Sequence, residues 1–143
     1  MSFGNTFEND LLALILLGTP IANIADNAAS APLTNLYAAL HTADPGEAGD
    51  QTTSEAAYTS YARVAIPRST SGFTTPSGGA SSLAATRDFP TGTGGSGTGT
   101  YLSLGTASSG AGKIIISGPL SPSVAFGNGV IPRLTTSTVI TVD

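Results

Sequence analysis

The chain has 143 residues, with 5 Lys plus Arg against 9 Asp plus Glu for a formal charge of −4, and it contains neither Cys nor Trp. Its 37 Ser and Thr, 18 Gly and 9 Pro make nearly half of it small, polar or turn-forming, while 40% hydrophobic residues still supply a core. This composition excludes a disulfide framework, a thiolate zinc site and a cysteine nucleophile, and its five scattered cations form no basic stripe for nucleic acid.

The first segment reads as the one convincing helix. Asn5 with Glu8 three residues later is capping-box-like, Asp10 sets negative charge near the positive end of the dipole, and Gly18 with Pro20 supplies the stop. Phe7, Leu11, Leu14 and Ile15 fall at helical spacing, and Leu12, Leu16 and Leu17 widen the stripe. Such a face either closes one end of the core or docks on another subunit. Phe3, Phe7, Leu11 and Leu14 are the candidate partner-contact residues. The apolar run Leu11 to Leu17 is far short of the roughly 20 residues that span a bilayer, and no Lys or Arg precedes it, so neither a membrane span nor a secretory signal is expected.

Residues 21–32 are Ala- and Asn-rich and carry little that favours helix or strand. Leu33 to Thr42 holds the aromatic and branched residues of a strand and stops at Asp44-Pro45-Gly46; Glu47 to Ser60 is polar and reads as a surface loop. Short strands follow at Tyr61–Ile66, Ser82–Phe89, Tyr101–Leu104, Lys113–Ile116, Val130–Ile131 and Thr138–Val142. Residues 91–100, TGTGGSGTGT, read as a loop, and Pro119 and Pro122 as a break. Six or seven short strands punctuated every 8–15 residues predict a mainly β fold: an antiparallel β-sandwich, jelly-roll-like, with one N-terminal helix. The expected division is a helix and connecting arm over 1–32 and a β domain over 33–143.

No constellation in the sequence carries catalysis. His41 is the single histidine; no Gly-x-Ser-x-Gly elbow accompanies it and no second His or Cys shares a metal with it, so it is expected to play a structural role beside the Asp44-Pro45-Gly46 turn. Gly92, Gly94 and Gly97 spell a dinucleotide fingerprint by letter, yet a strand rather than a helix is predicted to follow. Gly110-Ala111-Gly112-Lys113 lacks the first Gly and the Ser or Thr of a phosphate loop. Six of the nine acids lie in predicted loops or near the termini, and without Trp there is no sugar platform. The Arg residues at 63, 68, 87 and 133 are expected to pair with acids. Neither catalytic nor metal-binding residues are assigned, and no cofactor is expected.

Leu36-Tyr37-x-x-Leu40-His41-Thr42, the turn Ala43-Asp44-Pro45-Gly46, and then Tyr61-x-Arg63-Val64 resemble a family of small tailed-bacteriophage virion proteins, with the match strongest over residues 33–68. Where that family carries an aromatic-rich strand and a Trp, this chain has Tyr101-Leu102-Ser103-Leu104-Gly105. The resemblance implies a non-enzymatic structural protein of the virion, assembled in the host cytoplasm. Its first reading is a capsid decoration or cement protein bound to the major capsid protein of an HK97-type shell and self-associating as a dimer or trimer. The alternative is a tail, neck or tail-fibre component, and a receptor- or glycan-binding module stands behind both. Neither nucleic acid nor membrane is an expected partner.

Overall fold

The computed structural model describes residues 4–21, 24–25 and 31–142. The fold is mainly β with antiparallel sheets and a helix at the N-terminus, as alternation and turn punctuation predict. Its packing divides it into two compact units: Met1–Asn35 with Pro67–Thr86 and Leu134–Asp143, and Leu36–Ile66 with Arg87–Arg133.

In the first unit, α1 (Asn5–Leu12) starts after Gly4 and continues as a π-helical turn over Ala13–Leu17. The N-cap is Gly4, so no side chain caps the start and the capping box expected on Asn5 and Glu8 does not form. Gly18 ends the helix at φ 69, a left-handed cap that a residue without Cβ adopts freely. Leu12 and Leu16, one turn apart, are fully buried, and each contributes about 1.5–3 kcal/mol of apolar burial. Arg68 closes the other end, donating from Nη2 to the Leu14 carbonyl, from Nε to the Ile15 carbonyl and from Nη1 to the Leu33 carbonyl, all at 2.7 Å. Last-turn carbonyls lack partners within a helix and carry the negative end of its dipole, so a guanidinium satisfies them in charge and geometry. Asn9 Oδ1 accepts from the Gly79 amide at 2.8 Å and ties the helix to β3 (Ala80–Ser82), which pairs antiparallel with β8 (Val139–Thr141).

The second unit is built on a four-stranded sheet of order β2-β1-β5-β6, from β1 (Asn35–His41), β2 (Val64–Pro67), β5 (Ser96–Gly105) and β6 (Ile114–Gly127). Two short strands, β4 (Arg87–Asp88) and β7 (Arg133–Leu134), pair separately, with the Arg133 guanidinium forked on Asp88 at 2.6 and 2.8 Å. β1 lies inside the sheet, and Leu36 and the whole run from Ala38 to His41 are buried.

Several expectations are corrected. Residues 96–100 belong to β5 instead of a loop, because their glycines serve close approach: a Cβ on Gly97 would stand 2.6 Å from the Phe126 ring, and one on Gly99 would stand 3.3 Å from Leu40 Cδ2. Pro119 and Pro122 do not break the chain; both lie within β6. Pro119 faces Tyr101, the ladder resumes at Val124 opposite Gly99, and Leu120–Ser123 bulge out between them. β6 terminates the sheet, where a missing N–H goes unpunished. The stretch Ser82–Phe89 is split between β3 and β4, and Val130–Ile131 is exposed chain ahead of β7. The loop over Glu47–Ser60 is not simply surface, since Gln51, Ala56 and Tyr58 are buried.

Candidate functional site

The residues that carry the family resemblance converge in the second unit on a buried polar network. His41, at the end of β1, is fully buried and diagonal to Ser103 of β5: it stands opposite Tyr101, and Ser103 opposite Ala39. Its Nδ1 meets the Thr53 carbonyl at 2.8 Å and its Nε2 meets Ser103 Oγ at 2.7 Å. A carbonyl only accepts, so Nδ1 carries the proton and Nε2 accepts from the Ser103 hydroxyl; the network assigns this tautomer. Burial lowers the His41 pKa, the Thr53 bond and the Glu55 carboxylate oppose that, and Arg63 adds to it, leaving a neutral imidazole near pH 7. Asp44, the partner region expected for His41, instead accepts from the Gly46 amide at 2.8 Å within its own turn.

A Ser–His contact at this distance matches a nucleophile and its base, so its chemistry needs weighing. Both residues are 0% exposed, and a backbone carbonyl occupies the place of the orienting carboxylate. No substrate reaches the hydroxyl in this arrangement. The pair ties β1 to β5 and holds the loop at Thr53.

Beside it, Glu55 and Arg63 form a two-pronged ion pair, Nε to Oε1 at 2.7 Å and Nη2 to Oε2 at 2.8 Å, with side-chain exposures of 16% and 2%. Tyr61 donates to Glu55 Oε1 at 2.9 Å and accepts from the Leu40 amide at 3.1 Å. Burial, followed by the Glu55 charge, pushes the Tyr61 phenol well up, so it stays a donor. The remaining Arg63 donors reach the Ala107 carbonyl at 2.9 Å and the Gly110 carbonyl at 2.8 Å. Gln51, fully buried, donates from Nε2 to the Tyr37 carbonyl at 3.0 Å and accepts at Oε1 from the Ala107 amide at 3.1 Å. It fits because Gly105 and Gly112 have no side chain: a Cβ on either would overlap its amide.

Together Gln51, Glu55 and Arg63 fasten two loops, 44–56 and 106–112, to the sheet. Nearly every polar group of the network is spent on another, which suits a stiff scaffold for presenting surfaces. Sequence patterning missed Ser103 and Gln51. The alternation Tyr101-Leu102-Ser103-Leu104 placed Ser103 on one face of a strand, whereas Gln51 stood in a polar run that gave no sign of burial.

The candidate contact residues lie elsewhere. Phe7, Leu11 and Leu14 sit half-buried on the helix of the first unit, and Phe3 lies outside the described residues. Gly110 lends its carbonyl to Arg63 and Gly112 lends its own to the main-chain N–H of Gln51, and the run 92–97 leads into β5 instead of a helix. Among the described residues, no group of three or more His, Asp or Glu could hold a metal ion, and no helix is long and apolar enough to cross a membrane.

A search of curated proteins found no match. The family described as "Podophage GP4 fiber I protein gp80" matches over residues 3–141. That span takes in nearly all of the chain, including every residue of the polar network and the helix of the first unit. The chain therefore belongs to the podophage GP4 fiber I protein gp80 family and is a phage virion structural protein.

Proposed function

We propose that the chain is a non-enzymatic structural component of the phage's fiber apparatus, a rigid β scaffold that joins other polypeptides of the virion. The observation that carries this reading is the family match over residues 3–141, which favours the fiber alternative over decoration of the head shell. The polar network supports it, because the one Ser–His contact is sealed from solvent and Glu55, Arg63 and Gln51 are committed to holding loops. On this reading the partners are fiber polypeptides, further copies of the chain among them, in place of the major capsid protein. Quantitative mass spectrometry of purified particles, with antibody labelling in the electron microscope, tests it. The expected result is label at the tail and a copy number far below that of the major capsid protein. Label over the head at near-capsid copy number would restore the decoration reading.

A further inference from the structure

His41 joins the loop over 44–56 to the sheet, and both of its ring nitrogens are spent in doing so. Nδ1–H donates to the Thr53 carbonyl of the loop at 2.8 Å, and Nε2 accepts from the Ser103 hydroxyl of β5 at 2.7 Å. Two main-chain bonds flank this contact: the Thr42 amide donates to the Ser54 carbonyl and the Ala56 amide to the Leu40 carbonyl, each at 2.8 Å. The Thr42 hydroxyl also donates to the Ser54 carbonyl, at 3.2 Å, and His41 and Glu55 form an isolated antiparallel bridge. Ser54 sits at φ 53, a left-handed backbone that a residue with a Cβ disfavours, so these bonds hold the loop against its own local preference.

The arrangement suits only a neutral ring. A second ring proton turns Nε2 into a donor, and the buried Ser103 hydroxyl, now the acceptor, loses the partner for its own hydrogen. The same proton sets a positive charge on a side chain that is 0% exposed. Glu55 on the loop favours the cation, but its carboxylate is already forked on Arg63, whose guanidinium opposes a second charge. Asp50, also on the loop, bonds to Thr52 and acts on Arg63. Tyr61 gives its phenol to Glu55, and Tyr101 of β5 stands opposite His41.

We propose that His41 is an acid-sensitive latch: while neutral it fastens loop 44–56 to β1 and β5, and on taking a second proton it releases that loop while the rest of the second unit stays folded. This is a local opening, distinct from a loss of overall stability, and it does not depend on the fiber reading. In the open loop the imidazole meets water and returns to its ordinary 6.5, whereas burial keeps it lower in the closed form. The open form therefore takes the proton first as pH falls. The opening equilibrium rises by up to about tenfold per pH unit below 6.5 and levels off where the closed ring also protonates.

Hydrogen exchange on the full chain, read amide by amide by nuclear magnetic resonance and corrected for the intrinsic rate, tests the latch between about pH 7.5 and about pH 5. Protection of the Thr42 and Ala56 amides should hold steady above about pH 7 and fall severalfold by about pH 5.5. The Phe89 amide, bonded to the Pro132 carbonyl at 2.8 Å, should keep its protection throughout. Constant protection at Thr42 and Ala56 would overturn the proposal, and so would an equal fall at Phe89, which means that the whole unit opens. His41→Gln, whose amide donates and accepts without titrating, should give a flat profile. A slope like that of the wild type would place the sensor elsewhere, at Glu55 first, and overturn the assignment. Should that variant misfold, the ring signals of the wild type decide, since His41 is the single histidine. They should titrate below 6.5, at the pH where the fall in protection levels off, and a ring that titrates at or above 6.5 overturns the latch.

Discussion

Glu55 and Arg63 meet as a fork, two N–H···O bonds of 2.7 and 2.8 Å, with the Arg63 side chain only 2% exposed. The glutamate holds the guanidinium so that its other donors clasp the carbonyls of Ala107 and Gly110, 44 and 47 residues along the chain. Removing one partner strands the other charge in a place with little water. Arg63→Met is expected to destabilise the second unit by about 3 kcal/mol, and the double variant Glu55→Leu with Arg63→Met to recover part of that. Urea titration followed by tyrosine circular dichroism measures both. A loss below roughly 0.5 kcal/mol would mean that the pair behaves like a surface bridge.

Gly105 exists for Gln51. A Cβ at 105 would overlap the Gln51 side-chain amide, so Gly105→Ala should cost about 2 kcal/mol or more and lower the melting temperature. Combined with Gln51→Ala, which opens the space, Gly105→Ala should cost much less than it does alone. Additive losses in that double-mutant cycle would show that the clash is not the cause.

Stability should fall on mild acidification because of His41. Its pKa is lower in the folded chain than its ordinary 6.5, chiefly through burial, so the unfolded chain binds a proton first as pH drops. The contribution is complete above 6.5 and is lost below it until the folded imidazole also protonates. The Asp50 carboxyl is held low by its bonds to Thr52, and that of Asp88 by Arg133; their contributions are lost only below the ordinary 3.8. Melting temperatures between about pH 5 and 6.5 therefore isolate His41. The wild type should slope downward toward acid in that window and His41→Gln should be flatter. Parallel profiles would remove His41 as the source.

The helix should prove to have two faces with separate uses. Leu16 is 0% exposed, so Leu16→Ala should cost roughly 3 kcal/mol in the first unit. Leu11 and Leu14 are half-buried, so Leu11→Ser with Leu14→Ser should cost less stability but reduce incorporation into particles, as partner contacts would require. Full incorporation of that folded double variant would withdraw Leu11 and Leu14 as contact residues.

The strands within Leu33–Thr42, Tyr61–Ile66, Tyr101–Leu104 and Thr138–Val142 were legible because each holds branched or aromatic residues, although the second begins only at Val64. The helix was legible from its 3.6-residue stripe, although its start was displaced by one residue onto Gly4. The glycine run at 91–100 misled, since glycine in a strand looks the same as glycine in a loop until a facing ring such as Phe126 shows why a side chain is missing. Pro119 misled in the same way: whether a proline ends a strand depends on whether that strand lies at an edge, which is a property of the sheet.

Composition alone determined that the molecule would be a turn-rich β protein poor in charge, without disulfide or thiolate chemistry, because those traits follow from which residues are present. Local order determined most of the elements. Only the tertiary structure decided that His41 would meet Ser103, 62 residues away, that Gln51 would lie in a gap left by two glycines, and that Pro119 would stand opposite Tyr101. Those outcomes depend on strand pairing and register, which bring distant residues within hydrogen-bond reach and which no local periodicity encodes.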